Sequence, residues 1–544
     1  MNHIGWSLVI ISFHLSIAHS LKILLFCPGI SRSHVLFDYR LASTLVQQGH
    51  QVVIHTSSAD QESIGDLKPP ETFKEIRQYL TLDTEMTEII SSGRKSLQEM
   101  AWQEPKGGLL ASFKVLSQFS LLNKIVGELC RASFENQAVL DELKKEQFDV
   151  ALSHYMNACP LGIASVLGIE KIIWVSPGTY IFDHAAATMR IPLAPSYIPN
   201  AMTIFNDRMS FLERVANWAL DMSFLLYTKL PSSYLAIENA MYQEYVANHR
   251  DLVVPSAKSD KSLIELAAER VVTMFINGED ALDYPRPFLP GMMFLGQMEN
   301  HAKTKELSES WKSIVSSGKD GVIMFSLGTV ANTSSMPMAM KNAFLKAFKQ
   351  FSSYAIIWRL EGELPLGVEE QNHITIVKWL PQRDLLYHGN VKLFITHGGY
   401  NSLVETAQAG VPMLLLPLFG DQQGNAKRAF RHGVGLVLEK TSINTPVIVE
   451  KMKLILNEPG YAQRATRLAR FMRDKLIQNE IAAGRKVETI ARTRPWPVSP
   501  ARRLTYFQLL CLDVIFTGLG LILAAAFLIL QVIRYVLRAF RNSK

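Results

Sequence analysis

The chain has 544 residues, 48% of them hydrophobic and 19% charged, with 56 Lys and Arg against 49 Asp and Glu. That much apolar material excludes a disordered or fibrous protein, and the length suits two large domains or three to four smaller ones. The net charge of +7 is confined to one end: residues 485–544 hold ten cations and two acids, so the rest is near neutral. A neutral body lacks the field that tracks nucleic acid. The four cysteines, Cys27, Cys130, Cys159 and Cys511, are too dispersed for a disulfide scaffold or a zinc set.

In chain order, Ile4–Ile17 is an apolar run ending in Ala18-His19-Ser20, the shape of a cleavable secretory signal, so residues 1–20 are expected to be removed. Lys22–Cys27 predicts a strand, His34–Gln48 a helix and Val52–His55 a second strand, without a GxGxxG fingerprint. Asp149–Leu152 and Ile172–Val175 read as further buried strands. The stretches 60–145 and 180–250 are long, poorly periodic and rich in large apolar residues, which suits a lipophilic ligand.

A Pro/Gly-rich connection, Asp283-Tyr284-Pro285-Arg286-Pro287 to Pro290-Gly291, reads as an interdomain linker. Beyond it, apolar runs at 321–327, 355–358, 374–377, 391–396, 413–417 and 434–438 alternate with helical stretches at 337–351, 399–409 and from 422. That alternation predicts parallel strands with crossover helices, and two such units place a ligand in the cleft beyond their strand ends. Near the end, Val514–Leu530 is uncharged, and the span to Ile533 is long enough to cross a bilayer. Arg534, Arg538, Arg541 and Lys544 follow as a basic tail that stays cytoplasmic. A signal plus a stop-transfer helix puts the body in a secretory lumen, and the single sequon, Asn332-Thr333-Ser334, is compatible with that.

The informative stretch is Trp379–Arg428, WLPQRDLLYHGNVKLFITHGGYNSLVETAQAGVPMLLLPLFGDQQGNAKR. The run ending at Thr396 delivers His397-Gly398-Gly399 to a strand end where a helix begins, and N–H groups there make an anion site that glycines leave open. His397 can donate to the same anion, with Asn401 in the first helical turn. Glu405, one turn on, is suited to ribose hydroxyls. Trp379 offers a flat face to a base and Gln382 a donor and an acceptor to its edge. Asp421 and Gln422 follow a third strand end and are suited to sugar hydroxyls.

This stretch resembles the donor-binding signature of the UDP-glycosyltransferases, the family that includes the membrane-bound UDP-glucuronosyltransferases. The resemblance extends along the chain through the signal, the linker DYPRPFLPGMMFLG and the C-terminal anchor. It implies an α/β fold of the GT-B type, two Rossmann-like domains facing a central cleft, plus one C-terminal transmembrane helix. The acceptor domain is expected over 21–285, the UDP-sugar domain over 286–495, a juxtamembrane linker over 496–513, the membrane helix over 514–533 and the tail over 534–544. No metal or cofactor is implied, and the chain contains no Asp-x-Asp. By position, Trp379 stacks on uracil and Gln382 hydrogen-bonds it. Ser326, His397, Gly398 and Asn401 hold the diphosphate, Glu405 the ribose, and Asp421 and Gln422 the hexose. The implied partners are a UDP-sugar, a small lipophilic acceptor and the endoplasmic reticulum membrane, with a homo-oligomer compatible and nucleic acid excluded.

The implied base is His34, just after the first strand, and an imidazole is suited to that work near neutral pH. In the family an Asp at a later strand end orients this His; here Phe148-Asp149-Val150-Ala151-Leu152-Ser153 leads to His154 instead. His154 can accept a hydrogen bond when neutral but lacks a carboxylate's charge, and Asp38, one turn after His34, is a candidate substitute. The stretch Phe275–Asp280 has two acids and no cation, which leans toward UDP-glucose while UDP-glucuronate stays open. The leading expectation is inverting hexosyl transfer to a lipophilic hydroxyl. The rivals are a non-catalytic UDP-sugar-binding membrane protein and a galactosyltransferase that makes glycolipid.

Overall fold

A computed structural model describes residues 20–59, 64, 67–79, 87–88, 90–92, 101–102, 123–179, 183–200, 203–250, 261–296, 306–328, 331–493 and 499–542. The expected signal therefore lies almost wholly outside the described residues. The first sheet is parallel and seven-stranded: β1 (Lys22–Pro28), β2 (Gln51–Ser58), β3 (Lys74–Tyr79), β4 (Val150–His154), β5 (Ile172–Ser176), β6 (Val271–Ile276) and β7 (Met293–Phe294), in the order β3-β2-β1-β4-β5-β6-β7. Its central strands are buried almost throughout, as expected where helices cover both faces of a parallel sheet. Two apolar clusters on opposite faces contain, respectively, Leu24, Phe26 and Trp174, and Ile23, Leu25 and Val175.

The second sheet, also parallel, contains β8 (Gly321–Ser326), β9 (Tyr354–Arg359), β10 (Ile374–Val377), β11 (Val391–Thr396), β12 (Met413–Leu415) and β13 (Gly435–Val437), ordered β10-β9-β8-β11-β12-β13. Its core stacks Phe325 on Trp358, with ring centroids 5.5 Å apart, under the helix Met338–Phe348. Each sheet reverses its strand order once, between β1 and β4 in the first and between β8 and β11 in the second. Crevices open beyond the carboxyl ends of strands at such reversals, so the topology alone nominates the residues that follow these four strands.

The division between the halves differs from the sequence expectation. Met293–Phe294 pairs with β6, so the first sheet runs past residue 285. The long helix Pro459–Arg492 belongs to both halves: Ala465 and Met472 pack in the second, whereas Ala483, Val487 and Ile490 pack in the first. Gln48 Nε2 donates to the Glu480 carbonyl and Lys171 Nζ to that of Ala491, fixing this return crossing. A helix that bridges two sheets carries no local mark of the change of partner.

The last helix, Leu512–Asn542, contains a 28-residue apolar segment, Leu512–Ala539, whose most apolar 18-residue window has a mean hydropathy of 2.4 and is not buried by protein. It contains the expected span 514–533. By length and composition, this helix is able to cross a membrane. One covalent link was not foreseen: Cys130 and Cys159 form a disulfide, joining the helix around residue 130 to the start of the helix Cys159–Val166 just beyond β4.

Candidate active site

On the second sheet, Thr396 and Ser326 are register partners, so β8 and β11 end side by side. Ser326 is buried there, and His397 follows at once. The His397 ring lies between two glycines. A Cβ on Gly328 would meet its Cε1 at 2.5 Å, and one on Gly399 its Nε2 at the same distance. Gly328 and Gly398 also have φ of +73° and +82°, which favours glycine at both. The helix Tyr400–Ala409 then starts with Gly399 as N-cap and no side-chain cap, so its first N–H groups have no side-chain acceptor at that position.

Burial lowers the His397 imidazole to about 4, with the Arg359 guanidinium adding to the effect. At neutral pH, His397 is therefore a neutral hydrogen-bond donor rather than a cation. The positive charge at this strand end belongs to Arg359, which the sequence reading did not single out. Arg359 ends β9, donates to the Gly328 carbonyl, pairs with Glu361 at 2.8 Å and lies 5.7 Å from the Trp379 ring centre. Its only signal was its place directly after the apolar run Ala355–Trp358.

Gln382 and Glu405 meet: Gln382 Nε2 donates to Glu405 Oε2 at 2.6 Å and to Ser402 Oγ at 3.2 Å. The pair locks the amide so that its carbonyl is the group left to read a base edge. Gln422 is likewise turned on its own loop, its Oε1 accepting from the N–H groups of Leu418 and Phe419. Its NH2 is the group that can reach a sugar. Asp421 accepts from Asn425 Nδ2 at 2.8 Å, and burial raises its carboxyl above the usual range. Asn425 also donates to the Gly398 carbonyl, tying this loop to the cradle.

Across the cleft, β1 delivers Ser31 and the helix Arg32–Gln47. Ser31 occupies the N-cap position but does not cap; its hydroxyl lies 2.6 Å from His34 Nδ1. With Nδ1 so engaged, Nε2 has no protein partner among the described residues and is the nitrogen able to take a proton. Burial and the neighbouring His154 lower the His34 imidazole to about 3, so it is neutral at physiological pH.

His154 ends β4, beside the end of β1, and is fully buried. It does not hydrogen-bond His34; the two rings meet edge to face with centroids 5.9 Å apart. His154 Nε2 instead lies 2.8 and 3.0 Å from the two oxygens of Asp38, which is also fully buried. Asp38 therefore partners His154 rather than His34, correcting the simplest form of the substitution. The Cys27 thiol also hydrogen-bonds Asp38, and burial together with that carboxylate pushes the thiol well up.

The halves meet around these residues. The Arg32 guanidinium lies 5.7 Å from the centre of the exposed Trp379 ring, and Asn277 Nδ2 is 3.5 Å from Asn401 Oδ1. Behind them, buried Arg428 pairs with Asp283 at 2.5 Å and donates to Thr179 Oγ1 at 3.0 Å. Tyr400 donates to the other Asp283 oxygen at 2.9 Å. Arg428 closed the quoted signature, yet nothing in the sequence gave it this role as a lock between domains. Among the described residues, the one group spaced to hold a metal is Cys130, Cys159 and Glu238, and its two sulfurs are joined in the disulfide.

Residues 22–544 match the family model described as UDP-glucoronosyl and UDP-glucosyl transferase. The Caenorhabditis elegans protein ugt-60, assigned as a UDP-glucuronosyltransferase, is 35% identical over 96% of this chain and 99% of its own. The rat UDP-glucuronosyltransferase 1-2 is 28% identical over 96% of this chain and 92% of its own. Among solved structures, a UDP-glucose:anthocyanidin 3-O-glucosyltransferase in complex with UDP superposes with a TM-score of 0.53 at 16% identity, over 86% of this chain and 99% of its own. The calicheamicin glycosyltransferase CalG4 does so with a TM-score of 0.55 at 15% identity, over 88% of this chain and all of its own. These two likenesses establish the two-domain glycosyltransferase fold.

Proposed function

The chain belongs to the UDP-glucuronosyl and UDP-glucosyl transferase family, and from that premise we propose the chemistry of its own site. It transfers a hexosyl group from UDP-glucuronate or UDP-glucose to a hydroxyl of a small lipophilic acceptor, with inversion at the anomeric carbon and without a metal. The observation that carries this reading is the pairing of the two strand-order reversals across one cleft. His34 follows β1 on one side, the His397 cradle follows β11 on the other, and Arg32 reaches Trp379 between them.

In this reading, Trp379 stacks on uracil and the Gln382 carbonyl reads its edge. Glu405 holds the ribose while locking Gln382. Ser326, His397, Gly398 and Asn401 surround the diphosphate, with Asp421 and the Gln422 amide on the hexose. His34 Nε2 takes the acceptor proton as the acceptor oxygen bonds to the anomeric carbon from the face opposite UDP. The bond from that carbon to the β-phosphate oxygen breaks, and UDP leaves with the electron pair. The charge growing on UDP meets the helix N-terminus, a neutral His397 and the Arg359 cation, groups already oriented before reaction.

Asp38 removes the motive for a binding-only protein. The family's carboxylate beside the base is replaced by His154, yet a buried carboxylate stands directly behind that imidazole. We assign His154 and Asp38 to positioning: the His154 ring packs against His34, and the Asp38 carboxylate behind it opposes the unfavourable effect of His154 on the charge that His34 gains in the transition state. As for the sugar, the names of the relatives point to glucuronate. The buried Arg428 is paired with Asp283, so its charge is already engaged and is not free for a sugar carboxylate. Both donors therefore belong in the test.

The anchor helix and basic tail support a single-pass protein of the endoplasmic reticulum membrane with its body in the lumen, and the Cys130–Cys159 disulfide suits that oxidising side. The deciding experiment is a turnover assay of the membrane-reconstituted chain with radiolabelled UDP-glucose and UDP-glucuronate over a panel of phenols, sterols and aliphatic alcohols. Product inverted at the anomeric carbon supports the reading. UDP binding without product from either donor overturns it.

A further inference from the structure

The helix Phe211–Tyr227 is folded inside out. Its buried residues are the polar ones, Asn217 and Asp221, one turn apart and 0% and 5% exposed. Both are held by the preceding loop. Asn217 Nδ2 donates to the carbonyls of Pro195 and Ile198, its Oδ1 accepts from Asn200 N, and Asp221 accepts from Asn200 Nδ2 at 2.7 Å. The large apolar residues face outward instead: Leu212 is 76% exposed, Phe211 69% and Leu226 68%, with Val215, Trp218 and Leu230 also exposed. A capping box between Ser210 and Glu213 fixes the start of the helix.

A helix that hydrogen-bonds its polar face to its own domain and presents leucine, phenylalanine and tryptophan outward is unstable against water. Burial of apolar area contributes about 25 cal/mol per Å2, and this face forgoes it. The exposed cations Arg208, Arg214 and Lys229 lie at its start and end, where long basic side chains reach lipid headgroups.

The same surface continues into the membrane anchor. The helix packs against Asp183–Met189, and the next residue, Arg190, donates to the Leu504 carbonyl and holds its guanidinium 4.5 Å from the Tyr506 ring centre. Exposed Tyr506, Phe507 and Leu510 follow, and Phe507 stacks on Phe516 inside the terminal helix. We propose that Phe211–Tyr227 lies in the bilayer surface beside the anchor, its apolar face in the acyl boundary, so that the first domain is docked on lipid rather than tethered above it. The inference rests on reading the terminal helix as a membrane anchor.

The test uses the full chain in phosphatidylcholine nanodiscs. Cys511→Ser removes the exposed free thiol, Cys27 being buried and the other pair oxidised. Nitroxides are then placed singly by V215C, by L523C in the anchor and by L366C in an exposed turn after β9. Power saturation compares lipid-soluble oxygen with a water-soluble nickel chelate. Docking predicts that the 215 and 523 labels favour oxygen by several-fold, while the 366 label favours nickel. A 215 label that behaves like 366, with 523 in lipid, overturns docking and leaves the anchor standing. A polar signal at 523 refutes the anchor reading and docking with it. A 215 label shielded from both relaxants, with dipolar broadening lost on dilution with unlabelled chain, assigns the face to a second copy and overturns docking.

Discussion

Asp38 and His154, 116 residues apart, form a buried carboxylate–imidazole pair with His154 Nε2 within hydrogen-bond distance of both carboxylate oxygens. The pair stands against the edge of the His34 ring, where a single carboxylate was expected. Breaking it leaves a buried group uncompensated, which costs about 3–5 kcal/mol when the partner is charged. D38N should therefore lower Tm, and in the protein that stays folded it should cut kcat by about 10- to 100-fold with KM for the UDP-sugar unchanged. The double variant D38N/H154D returns a carboxylate to the position beside His34 and should recover part of kcat. A KM effect without a kcat effect, or no recovery, would show that the pair acts only in packing.

Replacing His34 by Ala should lower kcat by about 10^2- to 10^4-fold while calorimetric UDP affinity stays within twofold. The pH profile carries a sharper expectation. The working form of a base is neutral, and burial places the His34 transition at about 3 rather than near 6.5. Protonation of His34 should thus leave kcat/KM unaffected from pH 7 down to 5. An acid limb near 6.5 that disappears in H34Q would contradict this.

Gly399 has φ of −56°, so Ala is conformationally allowed there, but its Cβ would meet His397 Nε2 at 2.5 Å. G399A should displace the ring and weaken UDP binding by at least about tenfold, with a Tm change of only a few degrees. Gly328→Ala adds left-handed strain to the same clash and should lower Tm further. Wild-type UDP affinity in G399A would exclude the ring from the diphosphate site.

Glu238 gives a stability signature independent of catalysis. It is fully buried beside the disulfide, accepts from Ala158 N at 2.7 Å, and burial raises its carboxyl to about 8. Between the unfolded value near 4.5 and about 8, the folded chain holds the extra proton. Its contribution to stability is therefore full below 4.5 and is lost as pH rises through about 8, with a slope of at most about 1.4 kcal/mol per pH unit. E238Q should remove that slope: the difference in Tm between variant and wild type should grow in the variant's favour from pH 5 to 8.5. The lowered histidines His55 and His184 work in the opposite sense, gaining stability as pH rises toward 6.5, and cancel in that difference. A flat difference would rule out a neutral carboxyl at this position.

Several elements were legible because their signals are local. Ile374–Val377 and Val391–Thr396 coincide with apolar runs that end at polar or glycine residues, and the helix after His397-Gly398-Gly399 starts where its glycines stop. Edge strand β3, with the sequence Lys-Glu-Ile-Arg-Gln-Tyr, has one face against helices and the other in partial contact with solvent, so it carries no apolar run and was passed over. The helix Phe211–Tyr227 lies in a stretch read only as poorly periodic and rich in large apolar residues, and nothing there told that its apolar side faces outward. Arg359 and Arg428 look like ordinary basic residues until the fold surrounds them.

By itself the sequence determined the alternation of strands and helices, the glycine-flanked imidazole at a strand end, and the apolar terminal span, because each is written in residues within one or two turns of each other. The tertiary structure decided that Asp38 faces His154 instead of His34, that Gln382 and Glu405 hold each other, that Cys130 joins Cys159, and that one amphipathic helix turns its apolar side outward. Those are choices among neighbours distant in the chain, fixed by the register of parallel strands and by which face each helix buries, and no local pattern encodes them.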